Sequence, residues 1–136
     1  MDVLTDTERS MLIEELAKRP RFQLEHFTAE AREVSPTCGD EVTVRLRVVA
    51  SEIQEIGISA HGCTVSMAAA AALAAIAPIS FPEFSKVLAR YEASVAPGGS
   101  PLDGDLEAFA GIGRFPLRAR CATLAWRAAA AAVRGG

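Results

Sequence analysis

The sequence predicts an α+β fold, a small antiparallel β-sheet with helices packed on one face. Three observations predict it. From Glu41 to Val48 apolar and polar residues alternate with period two. A second apolar run, Ile53 to Ala60, follows after a link too short for anything but an antiparallel hairpin. The rest of the apolar residues fall mainly at helical spacing, in alanine-rich stretches after Cys63 and after Pro116. The 136 residues suit one domain, 1–136, able to bury a core without disulfide staples.

Taken in order, Thr5-Asp6-Thr7-Glu8 reads as a capping box opening a helix, with Thr5 and Glu8 three apart. Met11, Leu12 and Leu16 form its apolar stripe, and Pro20 ends it. Phe22, Leu24 and Phe27 suggest a short edge strand within the mixed segment 21–37. Val42, Val44, Leu46 and Val48 then alternate with Thr43, Arg45 and Arg47, the pattern of a half-buried strand. Ala50-Ser51-Glu52 turns the chain. In the next strand Ile56 and Ile58 share a face, while Ile53 is out of phase and predicts a bulge or a turn residue. His61-Gly62-Cys63 breaks that strand, and an alanine-rich helix is expected over Thr64–Ala77, stopped by Pro78. Ser80 and Glu83 form a second capping-box pair ahead of Phe84, Val87, Leu88, Tyr91 and Val95. Residues 97–101 are loop, and Leu106, Phe109 and Ala110 fit a short helix. Pro116 opens the last helix, in which Leu117, Cys121, Leu124, Ala128 and Ala132 share one face.

Composition removes several function classes. Half the residues are hydrophobic and 23% are charged, which excludes a disordered chain. A net charge of −3 with one Trp and one Tyr argues against a nucleic-acid partner. The first fifteen residues carry several acids and no apolar leader, so a cytoplasmic location is expected. The uncharged run between Glu55 and Glu83 is rich in alanine, with His61, serines and Pro78, and reads as a buried helix rather than a membrane span.

The three cysteines, Cys38, Cys63 and Cys121, are widely spaced and odd in number, so they do not read as a disulfide framework. They read as inert core thiols, a metal site or reactive sulfur. Cys38 precedes the first strand of the hairpin and Cys63 follows the second, so pairing puts both at one end of the sheet. The last helix must cross the sheet to bury its stripe and can bring Cys121 there. Asp40 adds a carboxylate beside Gly39. Three thiolates and a carboxylate make a donor set that suits tetrahedral Zn²⁺. Cys63 falls at a helix N-terminus, which favours an anion. Residues 114–134 hold five arginines and no acid; Arg118 and Arg120 flank Cys121. Against this, a lone Cys on an apolar helix face is often a small buried hydrophobe, His61 reads as a loop histidine, and the arginines read as a solvated face.

The motifs are more specific than the spacing. Ser35-Pro36-Thr37-Cys38-Gly39-Asp40 resembles the Asn-Pro-x-Cys-Gly-Asp signature of the U-type iron–sulfur cluster assembly family. Gly62-Cys63-Thr64-Val65-Ser66-Met67-Ala68 resembles that family's Gly-Cys-x-x-Ser motif. Residues 102–111 and 114–126, which include Arg118 and Cys121, are similar to the third region of its SufU branch. The resemblance runs from about residue 5 to 133. The IscU branch has a His directly before its third cysteine, where this chain has Arg120. The 58-residue step from Cys63 to Cys121 matches the longer spacing of SufU.

The resemblance implies a zinc-dependent sulfur acceptor that takes persulfide sulfur from a SufS-type cysteine desulfurase and serves downstream iron–sulfur assembly proteins. It implies zinc ligands at Cys38, Asp40, Cys63 and Cys121, a sulfur-acceptor role for Cys38 and a supporting role for Arg118. In that family a partner histidine exchanges into the zinc site and frees the acceptor thiolate. The alternative it leaves is a scaffold that assembles a transient iron–sulfur cluster on the same cysteines. The basic last helix and the Asp103-Gly104-Asp105 loop are expected to flank the metal and orient docking.

Overall fold

In the structure, a computed structural model describing residues 4–20, 22–36 and 39–135, four strands form one antiparallel sheet in the order β1-β2-β3-β4. The elements are α1 (Asp6–Ala17), β1 (Ala29–Val34), β2 (Glu41–Val49), β3 (Glu52–His61), α2 (Thr64–Ala74), β4 (Ile79–Ser80), α3 (Phe81–Val95) and α4 (Pro116–Gly135). Two 3₁₀ turns, Gly104–Phe109 and Ile112–Arg114, lie between α3 and α4.

The β2–β3 hairpin follows the expected period. Val42, Val44 and Leu46 of β2 and Ile53, Ile56 and Ile58 of β3 all turn inward and are buried. Val49 pairs with Glu52 across Ala50 and Ser51, both at positive φ. This is the two-residue geometry whose twist matches paired strands. The bulge is real: Arg47 pairs with Glu55 but Val48 with Ile53, so β3 carries one extra residue. That extra residue lets Ile53 point inward with Ile56 despite being out of phase.

α4 lies against β1 and β2, α2 lies against β3 and α4, and α1 covers α2. The buried run Ala68–Leu73 leaves α2 with small side chains on most sides, so its neighbours approach closely. Trp126 of α4 is fully buried; its indole N–H donates to the Ala69 carbonyl at 3.2 Å, and its ring stacks on Tyr91 with centroids 4.3 Å apart. The Tyr91 hydroxyl in turn donates to the Ala122 carbonyl at 2.5 Å. These contacts fix α4 against α2 and α3.

Several expectations are corrected. The first strand is Ala29–Val34, not the segment around Phe22, Leu24 and Phe27. That segment crosses the outer face of the sheet in irregular form. Phe22 accepts one hydrogen bond from Ile58, and Leu24 packs where Gly57 has no side chain; a Cβ there would lie 2.5 Å from the Leu24 nitrogen. Phe22 and Phe27 stay exposed, and with alternate side chains not buried the segment has no reason to enter the ladder. α1 opens on the Thr5–Glu8 capping box as read, but Met11 is exposed, and Leu12, Ile13 and the buried Leu16 make its inner face. α2 ends at Ala74, short of Ala77. Leu117, read as core, is exposed at the start of α4, while Cys121, Leu124, Ala128 and Ala132 are buried as expected.

Candidate metal centre

The hairpin register carries Asp40 to the second cysteine. Glu41 pairs with His61, so the residue before β2 lies beside the Gly62-Cys63 exit of β3. The β1–β2 connection is drawn tight: Ser35 N–H donates to the Asp40 carbonyl at 2.8 Å, and Gly39 N–H to the Ser35 carbonyl at 2.9 Å. Gly39 has φ +71°, a left-handed conformation natural to glycine. Cys63 is the N-cap residue of α2 and makes no side-chain capping bond; its sulfur turns instead toward Ser66 and Asp40. Cys121 sits one turn into α4, on the face that packs against α2.

These elements converge. One ligating atom each of Asp40, Cys63 and Cys121 lies within 4.8 Å of the others. Asp40 and Cys121 are buried, and Cys63 is exposed. Asp40 Oδ2 is the node: it accepts from Ser66 Oγ at 2.5 Å and from Cys121 Sγ at 3.3 Å, and Cys63 Sγ lies 3.7 Å from Ser66 Oγ. Burial pushes the Asp40 carboxyl up, but hydrogen bonds from Ser66, Cys121 and both the backbone and side chain of Cys63 outweigh it and hold it below the ordinary Asp value. Burial pushes the Cys121 thiol far up, and the neighbouring Cys63 adds to this. A buried anion therefore faces two thiols, one of which will not ionise without a compensating positive charge. A divalent cation supplies that charge, and a carboxylate with two sulfurs is a donor set that zinc and iron both accept. The residues fit a metal.

Cys38 lies outside the described residues. Of the four ligands the sequence suggested, the structure brings together the other three. Arg118 lines, with Cys63 and Cys121, an open cleft of about 570 Å³; its guanidinium stands 5.0 Å over the Phe115 ring. Ile13, Val65 and the exposed Leu117 make the cleft's apolar walls. The exposure of Leu117 thus has a use: it faces the approach to the thiols instead of the core. The Asp103–Asp105 loop does not line this cleft, and Asp105 is tied to Arg19 at 2.7 Å.

Sequence reasoning underrated two residues. Ser66 is buried at the centre of the hydrogen-bond network, and Gly62 gives Asp40 its place, since a Cβ there would fall 2.6 Å from the Asp40 Cγ. Both were visible as the fixed letters of the Gly-Cys-x-x-Ser motif. Ser66→Ala should remove the shortest bond to a buried anion. We expect it to cost about 1.5–3 kcal/mol of stability and to move the Asp40 carboxyl up in the metal-free chain. Denaturant melts and a carboxyl NMR titration check both.

Residues 12–79 match the family model described as the NifU-like N terminal domain, half of the chain. Over 123 residues the chain is 29% identical to an iron–sulfur cluster assembly scaffold protein IscU of Streptococcus pyogenes serotype M1, covering 87% of this chain and 77% of that protein. It is also 29% identical over 98 residues to the zinc-dependent sulfurtransferase SufU of Bacillus subtilis, covering 69% and 67%. Among solved structures it shares its fold with a candidate iron–sulfur scaffold for the SUF system from Fervidobacterium islandicum (TM-score 0.78, 21% identity, 90% and 93% covered). It also shares it with the N-terminal part of a NifU-like protein from Brucella abortus (TM-score 0.84, 20% identity, 96% of each covered).

Proposed function

The chain belongs to the NifU-like N-terminal family of U-type iron–sulfur cluster assembly proteins, and from that premise we propose that it is a zinc-dependent sulfur acceptor working with a SufS-type cysteine desulfurase. The observation that carries this is the meeting of Asp40, Cys63 and Cys121, with both cysteines lining an open, partly apolar cleft. The similarity to a zinc-dependent sulfurtransferase and the SufU-like spacing of the cysteines support it.

Asp40, Cys63 and Cys121 hold the metal, with Cys38 as the fourth ligand. Zinc in such a site keeps bound thiols deprotonated at neutral pH. Cys38 is the sulfur carrier. Its thiolate attacks the outer sulfur of the desulfurase persulfide; the new S–S bond forms as the old one breaks, and the desulfurase leaves as a thiolate, so the exchange is redox-neutral. Cys121 is held on the packed face of α4 and Cys63 at a strand–helix junction, whereas Cys38 follows Pro36 in a glycine-containing connection. Arg118 supports the site from the cleft wall and favours an anionic sulfur there. The exchange takes place in the cytoplasm, and the sulfur goes on to downstream iron–sulfur assembly proteins. Among the described residues no helix is long and apolar enough to cross a membrane.

Peptide mapping after a short pulse with desulfurase and cysteine, in zinc-replete buffer, tests the assignment. The persulfide should appear first on Cys38, and Cys38→Ser should abolish uptake beyond what its loss of zinc explains. First label on Cys63 or Cys121 overturns it. The second reading, a scaffold for a transient cluster on the same cysteines, is supported by the longer match to the streptococcal scaffold protein. Metal content of the purified chain separates the two: zinc without sulfide favours the acceptor, and iron with acid-labile sulfide the scaffold.

A further inference from the structure

The geometry points to a second site: an oxyanion pocket built by Arg9, Arg114 and Arg118 beside the thiol cleft. The pocket lies between the first turns of α1 and the segment leading into α4, and its volume is about 60 Å³. That is room for a few waters or for one carboxylate- or phosphate-sized group.

Charge is the first argument. Three guanidiniums line the pocket, and among the described residues Asp6 is the one carboxylate that does. Asp6 is spread thin: it lies 3.1 Å from Arg114 and 3.5 Å from Arg9, and its side chain is 70% exposed. The nearby acids are engaged elsewhere. Glu107 accepts from the Leu4 N–H at 2.8 Å, and Asp105 holds Arg19. Arg114 and Arg118 flank the Phe115 ring, each 5.0 Å from its centre, and this stacking positions both cations at the pocket.

An unmet donor is the second argument. The Nε of Arg9 is buried and has no hydrogen-bond partner among the described residues. Buried donors in folded proteins are nearly always paired, so Arg9 stands in the pocket wall as a guanidinium with hydrogen-bonding capacity unspent. A guanidinium presents its N–H groups as a fork that matches two oxygens of one oxyanion.

Arg118, Ser10 and Ile13 line this pocket and the thiol cleft alike. An anion bound here therefore sits at the wall of the passage to Cys63 and Cys121. Its oxygens come either from a carboxylate on a protein docked over the cleft or from a free inorganic oxyanion.

The test is an NMR titration of the arginine side-chain N–H groups with inorganic phosphate, against chloride at matched ionic strength. This arm is independent of the sulfur-acceptor reading. Saturable shifts are expected at Arg9, Arg114 and Arg118. Arg9→Lys keeps the charge and the aliphatic stem but lacks the guanidinium fork, so affinity read at Arg114 and Arg118 should fall roughly tenfold. A response that does not saturate, or that is equally tight in Arg9→Lys, overturns the site. A second arm measures desulfurase binding with and without phosphate. Competition that Arg9→Lys removes assigns the pocket to a carboxylate of the docked protein. Phosphate that binds without competing assigns it to a free oxyanion.

Discussion

Asp40→Ala should lower zinc affinity by more than about 100-fold while leaving the helices and sheet intact. Loss of a group that merely orients a metal ligand costs about 10–100-fold, and Asp40 touches Ser66, Cys121 and Cys63 directly. Its Oδ2 accepts from both Ser66 and Cys121, so removal leaves two thiols and a serine with no shared acceptor. Asp40→Asn is the sharper variant. It keeps the shape and loses the charge, and should lose most of the affinity too. Competition titration against a chromophoric chelator reads both; wild-type affinity in Asp40→Asn would remove Asp40 from the ligand set.

The same residue predicts a pH signature in two parts. The Asp40 carboxyl is held below its ordinary value, so it contributes stability above the unfolded Asp value, near pH 4, and loses it as pH falls through the folded value. The metal-free wild type should therefore lose stability in acid more steeply than Asp40→Asn. Metal affinity should weaken at higher pH than this, because the thiols must give up protons to bind and burial pushes Cys121 up. Isothermal titrations across pH separate the two limbs.

Much of this was legible because it rests on local periodicity. The alternation from Val42 to Val48 set both the strand and its inner face, and once β2 and β3 paired, Asp40 and Cys63 had to meet. The Thr5–Glu8 box located the start of α1 to the residue. What escaped depends on contacts between distant segments. The strand was expected at Phe22–Phe27 because those residues are apolar. Yet the ladder formed at Ala29–Val34, where Ala29 and Ala31 face inward and the small side chains let α4 lie close against β1. Leu117 has the spacing of a core residue, but it belongs to the first turn of α4, stays exposed and lines the cleft. The partnership of Gly62 and Ser66 with Asp40 spans more than twenty residues of chain, and no pattern within either segment states it.

Trp126→Ala should cost about 3–5 kcal/mol and lower the melting temperature by roughly 10–20 °C for a chain of this size. Trp126 fills the space between α4, α2 and α3, and its loss leaves a cavity that alanine-rich neighbours cannot close with longer side chains. It also removes the second hydrogen bond to the Ala69 carbonyl, which α2 already pairs internally, and the stacking partner of Tyr91. Its consequence for function is indirect and larger than its distance from the metal suggests. Cys121 lies on the same helix, five residues back, and reaches Asp40 only because α4 is pinned to α2. Metal affinity should therefore fall in Trp126→Ala although no ligand is touched. Trp126→Phe keeps the ring stack and loses the indole N–H, so it should retain most of the affinity and much of the stability. Paired thermal melts and chelator competition on the two variants read this. If Trp126→Ala bound zinc as tightly as the wild type, the place of Cys121 would not depend on this packing, and the anchoring of α4 by Trp126 would be irrelevant to the site.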